Sequence, residues 1–191
     1  MARRKDHTRL DLTDLAIQAG RELVVEKGPA ALTARNVARA IGYTPGTLYN
    51  IFENIEALAA AINIESMEAF ATKLRWTQQQ NGDTEVRIRR IAQAYLDFHQ
   101  EKPQLWSLLF AVPLKNNSEA YQQAIHQIFD QVTAAMEPLC ESTTVARRKA
   151  KVLWSTLHGI CLLQQSGKLN VREDDTKEEL VEEFLKQLLQ S

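Results

Sequence analysis

The sequence predicts an all-α protein of about nine helices, with a small three-helix head over residues 1–53 and a larger helical body over residues 54–191. Three observations predict this. Apolar residues recur at three- and four-residue spacing along most of the chain. Gly, Pro and Asn clusters cut that pattern into segments of helical length. No strand pattern, repeat or low-complexity tract competes with it.

The bulk numbers bound the class. With 191 residues, 45% hydrophobic and 25% charged, the chain has the composition of a soluble globular protein with a real core. The net charge of −1 is unevenly spread: residues 1–50 hold 8 Lys/Arg and 5 Asp/Glu, and residues 51–191 hold 15 and 19. A basic head on an acidic body suits a nucleic-acid reader joined to something else. Cys140 and Cys161 lie 21 apart with no metal-ligand spacing, which leaves reduced thiols as the simplest state. No signal peptide and no apolar run of roughly 18 residues appears, so a soluble, cytoplasmic protein without a membrane span is expected.

The first nine residues are polar and basic, and Arg3, Arg4 and Lys5 form a candidate arm toward phosphates or a minor groove. Leu12, Leu15, Ala16, Ala19, Leu23 and Val24 then mark a helix over 11–27, stopped by Gly28 and Pro29. A second helix over 33–40 starts at Thr33, whose hydroxyl suits free amides at a helix start, and carries Val37, Ala38 and Ile41 on one face. Gly42 follows where a left-handed residue ends a helix. Thr44 caps a third helix with Pro45 at its first position, and Leu48 and Phe52 face inward. Thr44, Gly46, Thr47 and Asn50 remain on the outer side. A short polar-faced helix held across another by a Gly turn is a helix-turn-helix pattern.

The stretch GYTPGTLYNIF, with the helix before it ending in Gly28 and a long helix after it from near Asn54, resembles the reading head of the TetR family of bacterial transcriptional regulators. The resemblance covers about residues 9–62. Family members usually carry a Lys shortly after the Phe, where it meets a DNA phosphate; here the chain reads Glu53-Asn54-Ile55-Glu56, with Ile55 in that place. An amide at the helix N-terminus is the remaining phosphate donor there.

The body continues in helices. Asn54 caps one running to about Gln80, long enough to link head and body mechanically. Asn81-Gly82-Asp83 is a turn, and Asp83 caps a helix to about Gln100 with Val86, Ile91, Ala94, Tyr95 and Phe98 inward. Pro103 breaks it, a short helix follows over 104–111, and residues 119–140 form another, ended or bent by Pro138. The eighth helix, 143–166, is apolar on several sides and so is expected to be buried on more than one. Its Trp154, His158 and Gly159 resemble the Trp-x-x-x-His-Gly element of one TetR C-terminal type. Thr176 and Glu179 form a capping-box pattern before an apolar stripe through Leu180, Val181, Phe184, Leu185 and Leu188. That stripe suits the core or a partner chain. The resemblance implies both, in a homodimer through residues 143–190.

Candidate sites follow. For a double-stranded DNA operator they are Thr33, Arg35, Tyr43, Thr44, Gly46, Thr47, Tyr49 and Asn50, which offer hydroxyls, an amide and a guanidinium to phosphates and base edges. The third helix holds no Arg or Lys, so guanine readout by a bidentate Arg is not evident, and thymine methyls, phosphates and DNA shape carry more weight. For a small, largely apolar effector they are Phe70, Phe98, Trp106, Phe110, Trp154, His158 and Cys161, aromatic and apolar groups with a few polar ones to fix orientation. Each of these also serves as ordinary helical core. The four histidines stand at no metal spacing, no catalytic motif appears, and no cofactor is expected. The reading is a TetR-like ligand-responsive repressor binding a pseudo-palindrome, not an enzyme. The alternative is a helical small-molecule-binding or scaffold protein without specific DNA binding.

Overall fold

A computed structural model describes residues 8–113, 118–170, 172 and 174–190. Its helices are α1 (Arg9–Lys27), α2 (Ala34–Ala40), α3 (Pro45–Tyr49), α4 (Ile55–Gln79), α5 (Thr84–Glu101), α6 (Pro103–Ala111), α7 (Glu119–Met136), α8 (Thr143–Gln165) and α9 (Lys177–Gln190), with 3-10 turns at Pro29–Ala31 and Glu137–Leu139. The described residues thus form an all-α protein of nine α-helices without strands. The basic arm at Arg3, Arg4 and Lys5 lies outside the described residues.

Local chemistry sets the ends. α1 begins two residues before the apolar pattern does, because Thr8 and Asp11 close a reciprocal capping box. Asp83 Oδ1 accepts from Val86 N at 2.9 Å before α5. Ser142 caps α8 by accepting from Val145 N at 3.3 Å. The Thr176–Glu179 box forms as the sequence predicts, with Thr176 N donating to Glu179 Oε2 at 2.8 Å and Glu179 N to Thr176 Oγ1 at 3.2 Å. α7 stops at Met136, and Pro138 sits in the 3-10 turn that follows, since proline denies the interior of a helix one hydrogen bond.

The chain divides into two compact units, residues 1–68 with 102–124, and residues 69–101 with 125–191. In the first, Ala16, Val24, Val37, Leu48, Leu58, Ile62, Leu105 and Trp106 make the core. α6 packs here on α1 and the first 3-10 turn. Gly20 lets α1 approach closely: a Cβ there would lie 2.9 Å from Ile62 Cδ1 and 3.1 Å from Leu32 Cδ1. Asn63, fully buried, donates its Nδ2 to the Leu108 carbonyl at 3.1 Å and so holds α6 against α4.

In the second unit α8 packs between α5 and α9, with fully buried Ala146 and Ala150 giving small contact points beside Leu153, Leu157 and Cys161. Val181, Leu185 and Leu188 of α9 close that layer. Each buried Leu or Val contributes on the order of 1.5–3 kcal/mol of transfer free energy. Ion pairs line the edges: Arg89 bridges Glu85 and Glu182, and Lys73 meets Asp97 at 3.2 Å. Their half-exposed setting keeps their contribution to the order of 1 kcal/mol or less.

One expectation is not met within a single chain. α8 is apolar on several sides, yet Val152 and Leu162 are each 50% exposed and Leu163 45%. The helix is buried only along its Ala146–Cys161 edge.

Candidate functional site

The helix-turn-helix is built from short-range hydrogen bonds. Thr33 Oγ1 accepts from Asn36 N at 3.2 Å, and Asn36 Nδ2 returns to the Ala31 carbonyl at 2.9 Å, fixing α2 to the preceding turn. Gly42, at φ 77°, reverses the chain, and Tyr43 N donates to the Ala38 carbonyl at 2.8 Å. Thr44 Oγ1 then accepts from Thr47 N at 3.3 Å, and the two threonine hydroxyls share a 3.1 Å hydrogen bond. Leu48, 2% exposed, is the anchor of α3 in the core with Val37 and Ala38.

With Leu48 inward, the opposite face is fixed by helical geometry. Gly46 and Asn50 each stand two residues from Leu48, which is about 160° round the helix. Both are exposed, as are Thr33, Arg35, Thr44 and Tyr49, while Tyr43 and Thr47 are half-buried. The predicted DNA-facing residues thus all belong to the first unit and keep exposed or half-exposed side chains. Arg35 and Arg39 add exposed cations from α2. Arg21 is engaged with Glu65 at 3.4 Å. Ile55 is half-buried at the start of α4, where Asn54 Oδ1 accepts from Ala57 N at 2.8 Å. The carboxamide of Asn54 thus takes up one of the amides at that terminus.

The predicted effector residues separate into neighbourhoods. In the second unit Phe70 meets Phe98 at 5.5 Å between ring centroids and Tyr95 edge-on at 6.2 Å. Trp154 stacks on His158 at 6.1 Å and meets Phe129 edge-on at 5.5 Å. Tyr95 Oη, 3.3 Å from His158 Nδ1, joins the two groups. Cys161 is fully buried one turn farther along α8. Trp106 and Phe110 belong to the first unit, 4.9 Å apart, with Trp106 buried and Phe110 42% exposed.

Burial sets the chemistry of this cluster. It pushes the Cys161 thiol up to about 11 and holds His158 below the ordinary imidazole range. His99 is held low by burial first, and then by the positive charges of Lys177 and His158. Near neutral pH the cluster therefore presents neutral imidazoles and a protonated thiol among aromatic rings. It lacks a thiolate nucleophile, and among the described residues no group of three or more His, Cys, Asp or Glu gathers to hold a metal.

Two polar groups of this unit escaped the sequence. Tyr95 read only as an inward apolar position. Lys177 is 5% exposed, with Nζ 3.2 Å from Gln100 Oε1 and 3.6 Å from Glu178. Lying inside a capping-box pattern, it carried no signal of burial. A separate cleft of about 360 Å³ lies between the end of α8 and the start of α9, lined by Gln164, Asn170, Asp174, Lys177 and Glu178. It includes none of the predicted effector residues. Among the described residues no helix is long and apolar enough to cross a membrane.

Residues 16–62 match the family described as bacterial regulatory proteins, tetR family, and residues 88–188, more than half of the chain, match the tetracyclin repressor-like C-terminal domain. An uncharacterized HTH-type transcriptional regulator of Mycobacterium tuberculosis is 26% identical over 150 residues, covering 78% of this chain and 68% of that protein. Among solved structures, a protein with unknown function from Rhodococcus sp. RHA1 superposes with a TM-score of 0.77 at 19% identity, covering 98% of this chain and 97% of that one. The transcriptional regulator FadR from Bacillus subtilis, in complex with stearoyl-CoA, gives 0.69 at 14% identity over 92% and 97% of the two chains. The two structural likenesses are likenesses of fold.

Proposed function

Since the chain belongs to the tetR family of bacterial regulatory proteins and is a DNA-binding transcriptional regulator, we propose that it acts in the cytoplasm as a homodimeric, ligand-responsive repressor. The observation that carries this is the outward face of α3. Leu48 is sunk in the core while Gly46, Tyr49 and Asn50 stand exposed beside Arg35. In a major groove, Asn50 and the Thr47 methyl meet base edges, and Thr33, Arg35, Tyr43, Thr44 and Tyr49 meet phosphates. Residues 1–53 supply this head, and residues 54–191 the effector and dimer functions.

The exposed stripe of α8 supports the homodimer. Val152, Leu162 and Leu163 leave apolar surface in water, and a Cβ added at Gly159 between them would meet nothing within 4 Å. Half-buried Leu180 and Phe184 of α9 extend the apolar surface. A two-fold contact through residues 143–190 would cover it, and two heads would read an inverted repeat.

The effector is a small, largely apolar molecule with one hydrogen-bonding group. Phe70, Phe98, Trp154 and Cys161 give it apolar surroundings, and His158 with Tyr95 gives the polar contact. The FadR structure solved with stearoyl-CoA supports an apolar ligand in this fold. Such a molecule releases DNA only if it binds the DNA-free state more tightly.

Selection of random duplex DNA on the purified protein tests the proposal, followed by stoichiometry on the enriched duplex. An inverted repeat holding two chains is the expected outcome. Absence of any enriched sequence contradicts it.

A further inference from the structure

We propose that α3 reads an adenine in each operator half-site through the carboxamide of Asn50, with Gly46 clearing the space for that contact. This rests on the reading above, that α3 enters a major groove. It adds the class of base pair recognised.

Several polar groups on α3 are already committed. Thr44 Oγ1 accepts from Thr47 N at 3.3 Å, and the Thr44 and Thr47 hydroxyls bond each other at 3.1 Å. The two threonines are thus tied into the helix cap. Between them the two hydroxyls keep one proton to offer outward, enough for a phosphate, whereas a paired donor and acceptor for a base edge would unfasten the first turn of a five-residue helix.

Asn50 differs. Its backbone continues the helix, at φ −75° and ψ −17°, and its N–H donates to the Gly46 carbonyl. Its side chain is exposed and takes part in none of the hydrogen bonds found among the described residues. It stands at the C-terminal end of α3, two residues from Leu48 and so on the side away from it. A carboxamide offers one donor and one acceptor side by side. Adenine presents the matching pair in the major groove, N7 to accept from Nδ2 and the N6 amino group to donate to Oδ1. Guanine presents two acceptors, which suit Arg or Lys, and residues 44–50 contain neither.

Gly46 supplies the independent observation. It lies one turn before Asn50 on the same outward face. A Cβ added to it would have only Thr44 Oγ1 near it, at an ordinary 3.7 Å, and its φ does not lie in the left-handed region. The fold therefore has no need of glycine there. Contrast Gly20 and Gly42, where packing or backbone conformation requires it. A glycine without an internal reason, on the face that meets the groove, fits close approach of DNA. It lets α3 sink far enough for a side chain as short as Asn to reach a base edge.

The test is duplex selection with the full-length wild type and with Asn50→Ala, Asn50→Asp and Gly46→Ala, followed by titration of each against the wild-type operator. The expected wild-type product is an inverted repeat with one strongly preferred adenine per half-site. Asn50→Ala should lose the preference at that position alone, with a fall of about tenfold or more in discrimination. Asn50→Asp, which can only accept, should shift it toward cytosine. Gly46→Ala should unfold at the wild-type midpoint or above it and bind the operator more weakly. An inverted repeat whose preferences survive Asn50→Ala unchanged, or a guanine at the position Asn50 controls, overturns the proposal while leaving the regulator intact. No enriched sequence for the wild type overturns both.

Discussion

Tyr95 Oη lies 3.3 Å from His158 Nδ1, a polar contact that joins α5 to α8 beside the aromatic rings of Phe70 and Trp154. A neutral imidazole can make this contact in either tautomer, accepting from the hydroxyl at an unprotonated Nδ1 or donating to it from Nδ1–H. Burial favours that same neutral form.

Stability should therefore fall on the acid side. His99 and His158 both take up protons less readily folded than unfolded. The unfolded chain binds theirs near pH 6.5, so stability is undiminished above that value and declines below it, toward the folded pKa values. The slope is at most about 1.4 kcal/mol per pH unit for each histidine. Urea midpoints at pH 7.5, 6.5 and 5.5 should show the decline, and a His99→Gln/His158→Gln variant should flatten it. An equal slope in that variant would assign the decline to other groups.

The two structural glycines of the head should fail for different reasons. Gly20→Leu must displace the buried Ile62 and Leu32 side chains, whose Cδ1 atoms would lie only 2.9 and 3.1 Å from its Cβ. Overpacking of this kind costs about 1–3 kcal/mol.

At Gly42 a Cβ has open space, but φ is +77°. Gly42→Val should cost about 1–2 kcal/mol through backbone conformation alone. Gly42→Asn, which tolerates the left-handed region, should recover most of that loss. Chemical denaturation of the three variants checks both statements.

The α8 stripe predicts assembly. Leu162→Glu/Leu163→Glu places two charges where both residues are about half exposed in the single chain, so the monomer fold should survive. Sedimentation should show wild-type dimers and variant monomers. A variant that remains dimeric would place the interface elsewhere.

Thiol accessibility offers a simple check on the second unit. Cys140 is half-buried, while Cys161 is fully buried with its thiol pushed up to about 11. A thiol reagent at pH 8 should modify one cysteine per folded chain quickly and the second only on unfolding. Rapid reaction of both would contradict the packing of α8.

Much of the fold was legible because its signals are local. Thr33, Thr44, Asn54, Asp83 and Thr176 each sit just before a helix they cap, and Gly42 takes the left-handed turn its position calls for. What stayed hidden depends on partners distant in sequence. Gly20 interrupts an apolar stripe and gives no sign that Ile62 will press on it. Lys177 looks like a solvated helix start until Gln100 is found beside it, 77 positions earlier. Periodicity likewise reports that α8 is apolar all round without saying which side the same chain covers. For the candidate interface, the pattern exposed which residues of α3 face outward. The Thr44–Thr47 hydrogen bond, which separates capping hydroxyls from the exposed Asn50 carboxamide, depends on side-chain geometry that no sequence pattern reports.

If the outward face of α3 reads a specific DNA sequence in a symmetric pair, binding must discriminate between sequences. The most direct test is titration of the wild-type protein with the enriched duplex and with a scrambled duplex of equal length, at 50 and 200 mM salt. The account predicts binding at least about a thousandfold tighter to the enriched duplex. It also predicts that affinity for both falls steeply with salt, and that the enriched duplex saturates at two chains. Equal affinity for the two duplexes at both salt concentrations would contradict it.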